Sequence, residues 1–83
     1  MKQTLDYILN NILDEKTEFE INEEEQDGYL ILKINAPKDQ IGRIIGKNGR
    51  TINSIKNLLK IKAIKENKKI DVQVFEKESD RNP

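Results

Sequence analysis

The stretch Ile44-Ile45-Gly46-Lys47-Asn48-Gly49-Arg50-Thr51-Ile52 decides how the rest of this chain is read. Two glycines three positions apart let a chain reverse tightly and let backbone approach a ligand with no Cβ in the way. Isoleucines on both sides frame the glycines as a short loop between two helices. The N–H groups that open the second helix have no intrahelical partner, and with the helix dipole they favour an anion. Lys47 at the loop tip, with Arg43 and Arg50 flanking it, adds mobile positive charge. Such a site suits a phosphodiester backbone. A tight helix–helix turn would need the same glycines for geometry alone, so the surrounding sequence has to decide.

Upstream of the loop, Pro37 suits the first turn of a short helix, where its missing N–H would be unpaired anyway. Asp39 adds a favourable charge near that helix's start, and Ile41, Ile44 and Ile45 form its apolar side to about Ile45. Downstream, Ile52, Ile55, Leu59 and Ala63 share one stripe of a third helix that runs from about Arg50 to near Asn67, a residue that tolerates a left-handed C-cap. Ile70, Val72 and Val74 then alternate with polar neighbours as a last strand. Toward the N-terminus, Tyr29 to Asn35 reads as a strand. Phe19 and Ile21 mark a shorter strand before it, and polar residues 23–28 join the two, ending in the turn signal Asp27-Gly28. Leu5, Ile8, Leu9, Ile12 and Leu13 place a first helix over about Thr4, a plausible N-cap, to Glu15.

The order is helix, strand, strand, helix, helix, strand. A hairpin pairs the first two strands antiparallel. A connection through helices packed on one face favours a parallel pairing of the last two. The expected fold is α+β: one three-stranded mixed sheet covered by helices on one face and open to water on the other. One domain is expected over residues 1–76, its core at about 17–75 and its N-terminal helix at 4–15, followed by a charged tail at 77–83.

Composition narrows the function. With 83 residues, 35% apolar and 36% charged, the chain is one domain with a thin core. It has no cysteine and no histidine, which removes thiolate metal sites and the commonest general base together. Ser54 and Ser79 are its only serines and have no partner base in a recognisable frame, so no enzyme, cofactor, metal or small-molecule substrate is expected. The longest apolar run, Tyr29 to Leu32, is too short for a bilayer, and the first residues lack a signal peptide's uninterrupted apolar centre, so a soluble cytoplasmic protein with no membrane partner is expected.

Zero net charge conceals a sharp split. Residues 1–30 carry two lysines against nine acidic residues, residues 31–69 carry eleven Lys or Arg against Asp39 and Glu66, and residues 70–83 carry two basic against four acidic. A basic middle can face phosphates while acidic segments lie elsewhere, or the blocks can simply neutralise one another on the surface. Beside the loop, Ile41, Ile44 or Ile45 on one side and Ile31 or Lys33 on the other are candidates to line a groove for unstacked bases. Only four aromatics are available, so recognition would rest on aliphatic contact and hydrogen bonds.

At this point the residues resemble a known family. Ile-Ile-Gly-Lys-Asn-Gly-Arg-Thr-Ile looks like the KH-domain signature (V/I)-I-G-x-x-G-x-x-I, and the helix and strand ahead of the core resemble the type II arrangement. In KH domains the GxxG loop clamps about four nucleotides of single-stranded backbone. Asn35-Ala36-Pro37, Gly42 and Gly49-Arg50-Thr51 leading into a Lys-rich helix resemble the small stand-alone KhpA family. The resemblance implies single-stranded RNA as partner, Gly46, Lys47, Asn48 and Gly49 as the clamp, and Arg50 beside it. Arg43, Ile44 and Ile45 complete the expected RNA-binding set. It also implies a post-transcriptional regulator or RNA chaperone that forms a homodimer or a heterodimer with a KhpB (Jag/EloR)-type KH protein. The alternative is a dimerising scaffold for such a partner with little RNA binding of its own.

One feature of the third helix lies outside its core stripe. At about 100° per residue, Leu58 and Ile61 point roughly 100° to 160° away from Leu59, and Ile64 lies on the far flank. Either the helix is sunk more deeply against the first helix, or Leu58, Ile61 and Ile64 form a second buried surface between two chains; the family's habit of pairing favours the dimer contact.

Overall fold

The computed structural model describes residues 1–77, and within them the order is α1 (Lys2–Ile12), β1 (Glu20–Gln26), β2 (Tyr29–Ala36), α2 (Lys38–Ile45), a single 3-10 turn (Lys47–Gly49), α3 (Arg50–Lys65) and β3 (Lys69–Glu76). Most of the tail expected at 77–83 lies outside the described residues. No helix among the described residues is long and apolar enough to cross a membrane.

The sheet runs β1-β2-β3, with β1 antiparallel and β3 parallel to the central β2. This is the expected mixed sheet. Along β2, Leu30, Leu32, Ile34 and Ala36 are buried and alternate with Tyr29, Ile31, Lys33 and Asn35. Successive strand residues point to opposite faces, so the helices cover the first set and leave the second toward solvent. Ile70 and Val72 of β3 stand in register with Leu30 and Leu32 on the covered face. The helices close the core with Leu5 and Leu9 from α1, Ile44 from α2, and Ile55, Leu59 and Ala63 from α3.

Three local readings shift. The first strand, expected around Phe19 and Ile21, starts after Phe19 at Glu20 and continues through Glu23, Glu24 and Glu25, residues that propensity disfavours in strands. As an edge strand it needs only Ile21 in the core, and Glu24–Lys33 at 3.1 Å and Glu25–Lys68 at 3.6 Å tie its acids to neighbouring lysines. The hairpin is therefore closed by Asp27-Gly28 alone, both with positive φ (51° and 78°), the conformation a two-residue primed turn requires.

The first helix starts and ends early. Met1 caps it and Leu13 is already extended, while Thr4 sits inside the helix and accepts a 2.9 Å bond from Lys62 Nζ. Leu13 keeps its apolar role by turning back into the core from extended backbone. In α2, Pro37 is the cap and not part of the first turn. Gln40 and Ile44 are its buried residues, Ile41 is half-buried, and Ile45 is 38% exposed.

Candidate nucleic-acid interface

Local chemistry fixes the loop. Gly46 has φ 78° and ψ 174°, and a Cβ there would collide with Thr51 Oγ1 and lie 2.6 Å from Thr51 Cβ and 2.8 Å from its backbone N. Conformation and space both demand glycine. Gly49 is different: its φ of 75° is left-handed, but the nearest atom to an added Cβ would be Asn53 Nδ2 at 4.0 Å. Between them Asn48 holds φ 57°, a conformation asparagine adopts more readily than most residues.

Hydrogen bonds brace the turn from behind. The Gly46 N–H donates to Gly42 O at 2.8 Å, the Gly49 N–H to Gly46 O at 3.2 Å, and the Arg50 N–H to Lys47 O. The helical end is thereby extended one turn toward the loop tip, where Lys47 and Asn48 are exposed. N–H groups that open a helical turn have no partner within it, so the tip presents donors together with the Lys47 ammonium. Lys47 and Arg50 make no ion pair among the described residues. Lys33, Arg43, Lys56 and Lys68 do.

The expected site residues separate into three groups. Gly46, Lys47, Asn48, Gly49 and Arg50 come together on one protruding turn, with Ile45 beside it at the surface. Ile44, expected to contact RNA, is fully buried; it anchors α2 from inside and offers no surface. Arg43 points to the end of α1: its Nη1 donates to Asp14 Oδ1 at 2.6 Å, and Gln40 Nε2 donates to the other Asp14 oxygen at 3.3 Å. A helix continuing through Asp14 would turn this carboxylate away from α2; because the helix ends at Ile12, Asp14 is free to clamp Arg43 and Gln40. The only sequence signal for it was the acid at a helix end.

The proposed opposite wall of the groove also moves. Ile31 and Lys33 lie on the sheet face away from the helices, and Lys33 is engaged with Glu24. Both α2 and α3 approach β3 instead, where Lys56 Nζ reaches Asp71 Oδ1 at 3.9 Å. Leu58, Ile61 and Ile64 are 56%, 58% and 71% exposed, so α3 is not sunk against α1 along that flank. Among the described residues no group of three or more His, Cys, Asp or Glu side chains could hold a metal ion.

A mixed three-stranded sheet in this order, helices on one face and a GxxG turn joining α2 to α3, defines a type II KH domain. The family model of the KhpA/KhpB KH domain matches residues 2–74. The RNA-binding protein KhpA of Chlamydia trachomatis serovar D is 37% identical over 76 residues, covering 92% of this chain and 97% of that protein. The one from Chlamydia caviae is 38% identical over the same shares, and the one from Clostridium perfringens is 32% identical over 90% of this chain and 100% of its own length. The chain belongs to the KhpA/KhpB KH-domain family, which is not a family of enzymes. No solved structure matches it significantly.

Proposed function

We propose that this protein binds single-stranded RNA by holding its backbone on the Gly46–Gly49 turn. It would then act in the cytoplasm as a post-transcriptional regulator or an RNA chaperone. The observation that carries the reading is the construction of the turn itself. Gly46 is required for both φ and space, and this brings exposed backbone, Lys47 and Arg50 to one point without an ion-pair partner among the described residues. The names of the relatives, RNA-binding proteins over nearly their whole length, support it.

The test replaces Lys47→Asp together with Asn48→Asp. Aspartate tolerates the left-handed conformation at position 48, so the turn keeps its shape while two carboxylates face the phosphates. Affinity for a short single-stranded RNA falls by at least about tenfold while the thermal transition is retained. For about three phosphate contacts the wild-type log–log salt slope is near −2, from roughly −0.7 per phosphate. Unchanged RNA retention by the double variant contradicts the assignment of the turn.

A second reading has its own observation. Leu58, Ile61 and Ile64 form an apolar flank on a helix that is otherwise rich in lysine, and exposed apolar patches mark interaction surfaces. We infer that this flank pairs with a second copy or with a KhpB-type partner, leaving the turn free for RNA.

A further inference from the structure

The sheet has two edges, and they differ. At one, α2 and α3 approach β3; at the other, β1 has no strand on its outer side among the described residues. The two-residue Asp27-Gly28 turn fixes which backbone groups of β1 face outward. Such a turn makes Gln26 and Tyr29 a pair that exchanges both N–H···O bonds. Hydrogen-bonded and non-hydrogen-bonded pairs then alternate along an antiparallel ladder. Counted back along the register, Glu24, Asn22 and Glu20 bond to β2, while Ile21, Glu23 and Glu25 turn their N–H and C=O groups away from it. Among the described residues no backbone group outside the sheet bonds to these three. Their donors and acceptors stand in a row, two residues apart, as a template for a further strand.

Beside the start of this edge lies an open recess of about 730 Å³ between α1 and β1. Lys2 and Asp6 of α1 stand on one wall, and Phe19, Glu20 and Ile21 on the other. Ile21 is buried and Phe19 half-buried against the core, so the strand side of the recess is partly apolar. A groove of this kind suits an extended peptide, whose main chain pairs with the sheet edge while alternate side chains enter the space beside it.

Charge selects the occupant. β1 carries Glu20, Glu23, Glu24 and Glu25 and no basic residue. Side chains alternate between faces, so Glu20 and Glu24 stand on the open face of the sheet and Ile21 and Glu23 on the helix side. Glu24 meets Lys33 and Glu25 meets Lys68, whereas Glu20 and Glu23 make no ion pair among the described residues. The β1 edge of a second copy would set glutamate against glutamate, and like charges directly opposite destabilise a strand pair. The β3 edge of a second copy has Lys69 against Asp71 and Glu76 and offers no basic complement. RNA phosphates are repelled by the same field. Charged residues on an edge strand guard a sheet against chance pairing. Here the guard has one sign only, so it refuses neutral and acidic strands and admits a basic one.

We propose that the outer edge of β1 binds an extended basic segment of a partner protein. The segment adds as a fourth strand, with lysine or arginine over Glu20 and Glu24 and apolar side chains over Phe19 and Ile21. This does not depend on reading the GKNG turn as an RNA clamp.

The experiment titrates the full chain, without RNA, with three capped eight-residue peptides: alternating lysine and valine, alternating lysine and proline, and alternating glutamate and valine. The Lys-Val peptide binds and moves the amide shifts of Ile21, Glu23 and Glu25 most. The Lys-Pro peptide has the same charge but lacks half of the backbone donors, and it binds at least about tenfold more weakly. The Glu-Val peptide does not bind. Glu20→Lys with Glu24→Lys, both at exposed positions, lowers affinity for Lys-Val at least about tenfold and confers binding of Glu-Val, with the thermal transition checking that the variant is folded. Lys47→Asp with Asn48→Asp leaves Lys-Val binding unchanged, which separates this edge from the turn. Equal affinity for Lys-Val and Lys-Pro overturns the proposal, because charge alone then accounts for binding. Shifts centred on β3 or on Leu58, Ile61 and Ile64 also overturn it, as does a wild-type protein that binds no Lys-Val peptide. Self-association that is lost in the Glu20→Lys, Glu24→Lys variant gives the edge to a second copy and overturns it as well.

Discussion

The GKNG turn leads into α3 and the apolar flank runs along it, but the two are held in place by different physics. At the turn, Gly46 packs against Thr51 with no room for a Cβ, its N–H is bonded to Gly42 O, and the Gly49 and Arg50 N–H groups bond back to Gly46 O and Lys47 O across the reversal. On the flank, Leu58, Ile61 and Ile64 are defined by what does not touch them. A site built by internal constraint can be read from one chain. A site defined by exposure acquires its meaning only from whatever covers it.

That contrast can be broken by substitution, and stability is the common scale. Gly46→Ala has the largest expected effect. It adds the strain of a backbone region essentially reserved for glycine, about 1–3 kcal/mol, to overpacking of roughly 1–3 kcal/mol against Thr51. At about 4–8 °C per kcal/mol for a domain of this size, thermal denaturation falls by ten degrees or more. A Gly46→Ala protein that melts like wild type would mean that the turn is not constrained by packing. Gly49→Ala meets open space and carries only left-handed strain of about 1–2 kcal/mol, so its transition drops by several degrees and clearly less than that of Gly46→Ala. Equal losses at the two glycines would erase the distinction drawn between them.

Ile61→Asp is expected to change stability least, within about 0.5 kcal/mol, because the side chain is 58% exposed and fills no part of the core. Its effect should instead appear in self-association. Light scattering on the variant gives a monomer mass where wild type gives a dimer. A dimer that survives the aspartate moves the interface off this flank, and a variant that unfolds means that the flank is part of the core after all.

Much of the fold was legible because alternation and helical stripes were clean. Leu30, Leu32, Ile34, Ile70 and Val72 mark the covered face, and Ile55, Leu59 and Ala63 mark the buried side of α3, as their spacing implies. What was hidden depends on partners distant in sequence. Glu23, Glu24 and Glu25 read as connection because nothing local favours a strand; only pairing with β2 and contacts with Lys33 and Lys68 make them one. Asp14 is separated from Gln40 by 26 residues and from Arg43 by 29, and no periodicity relates them. Ile44 and Ile45 are equally apolar neighbours, yet one is wholly buried and the other 38% exposed. Sequence could nominate both for a groove, but only the helix's orientation on the core separates them. The GxxG residues themselves were legible because glycine requirements are local.

Whether the turn holds RNA backbone is read from amide chemical shifts during titration with a 5-nucleotide single-stranded RNA. The largest shifts are expected on Gly46, Lys47, Asn48, Gly49 and Arg50, with Ile45 following and Leu58, Ile61 and Ile64 unmoved. Shifts centred on the flank of α3 or on the open sheet face, with the turn unaffected, would contradict it.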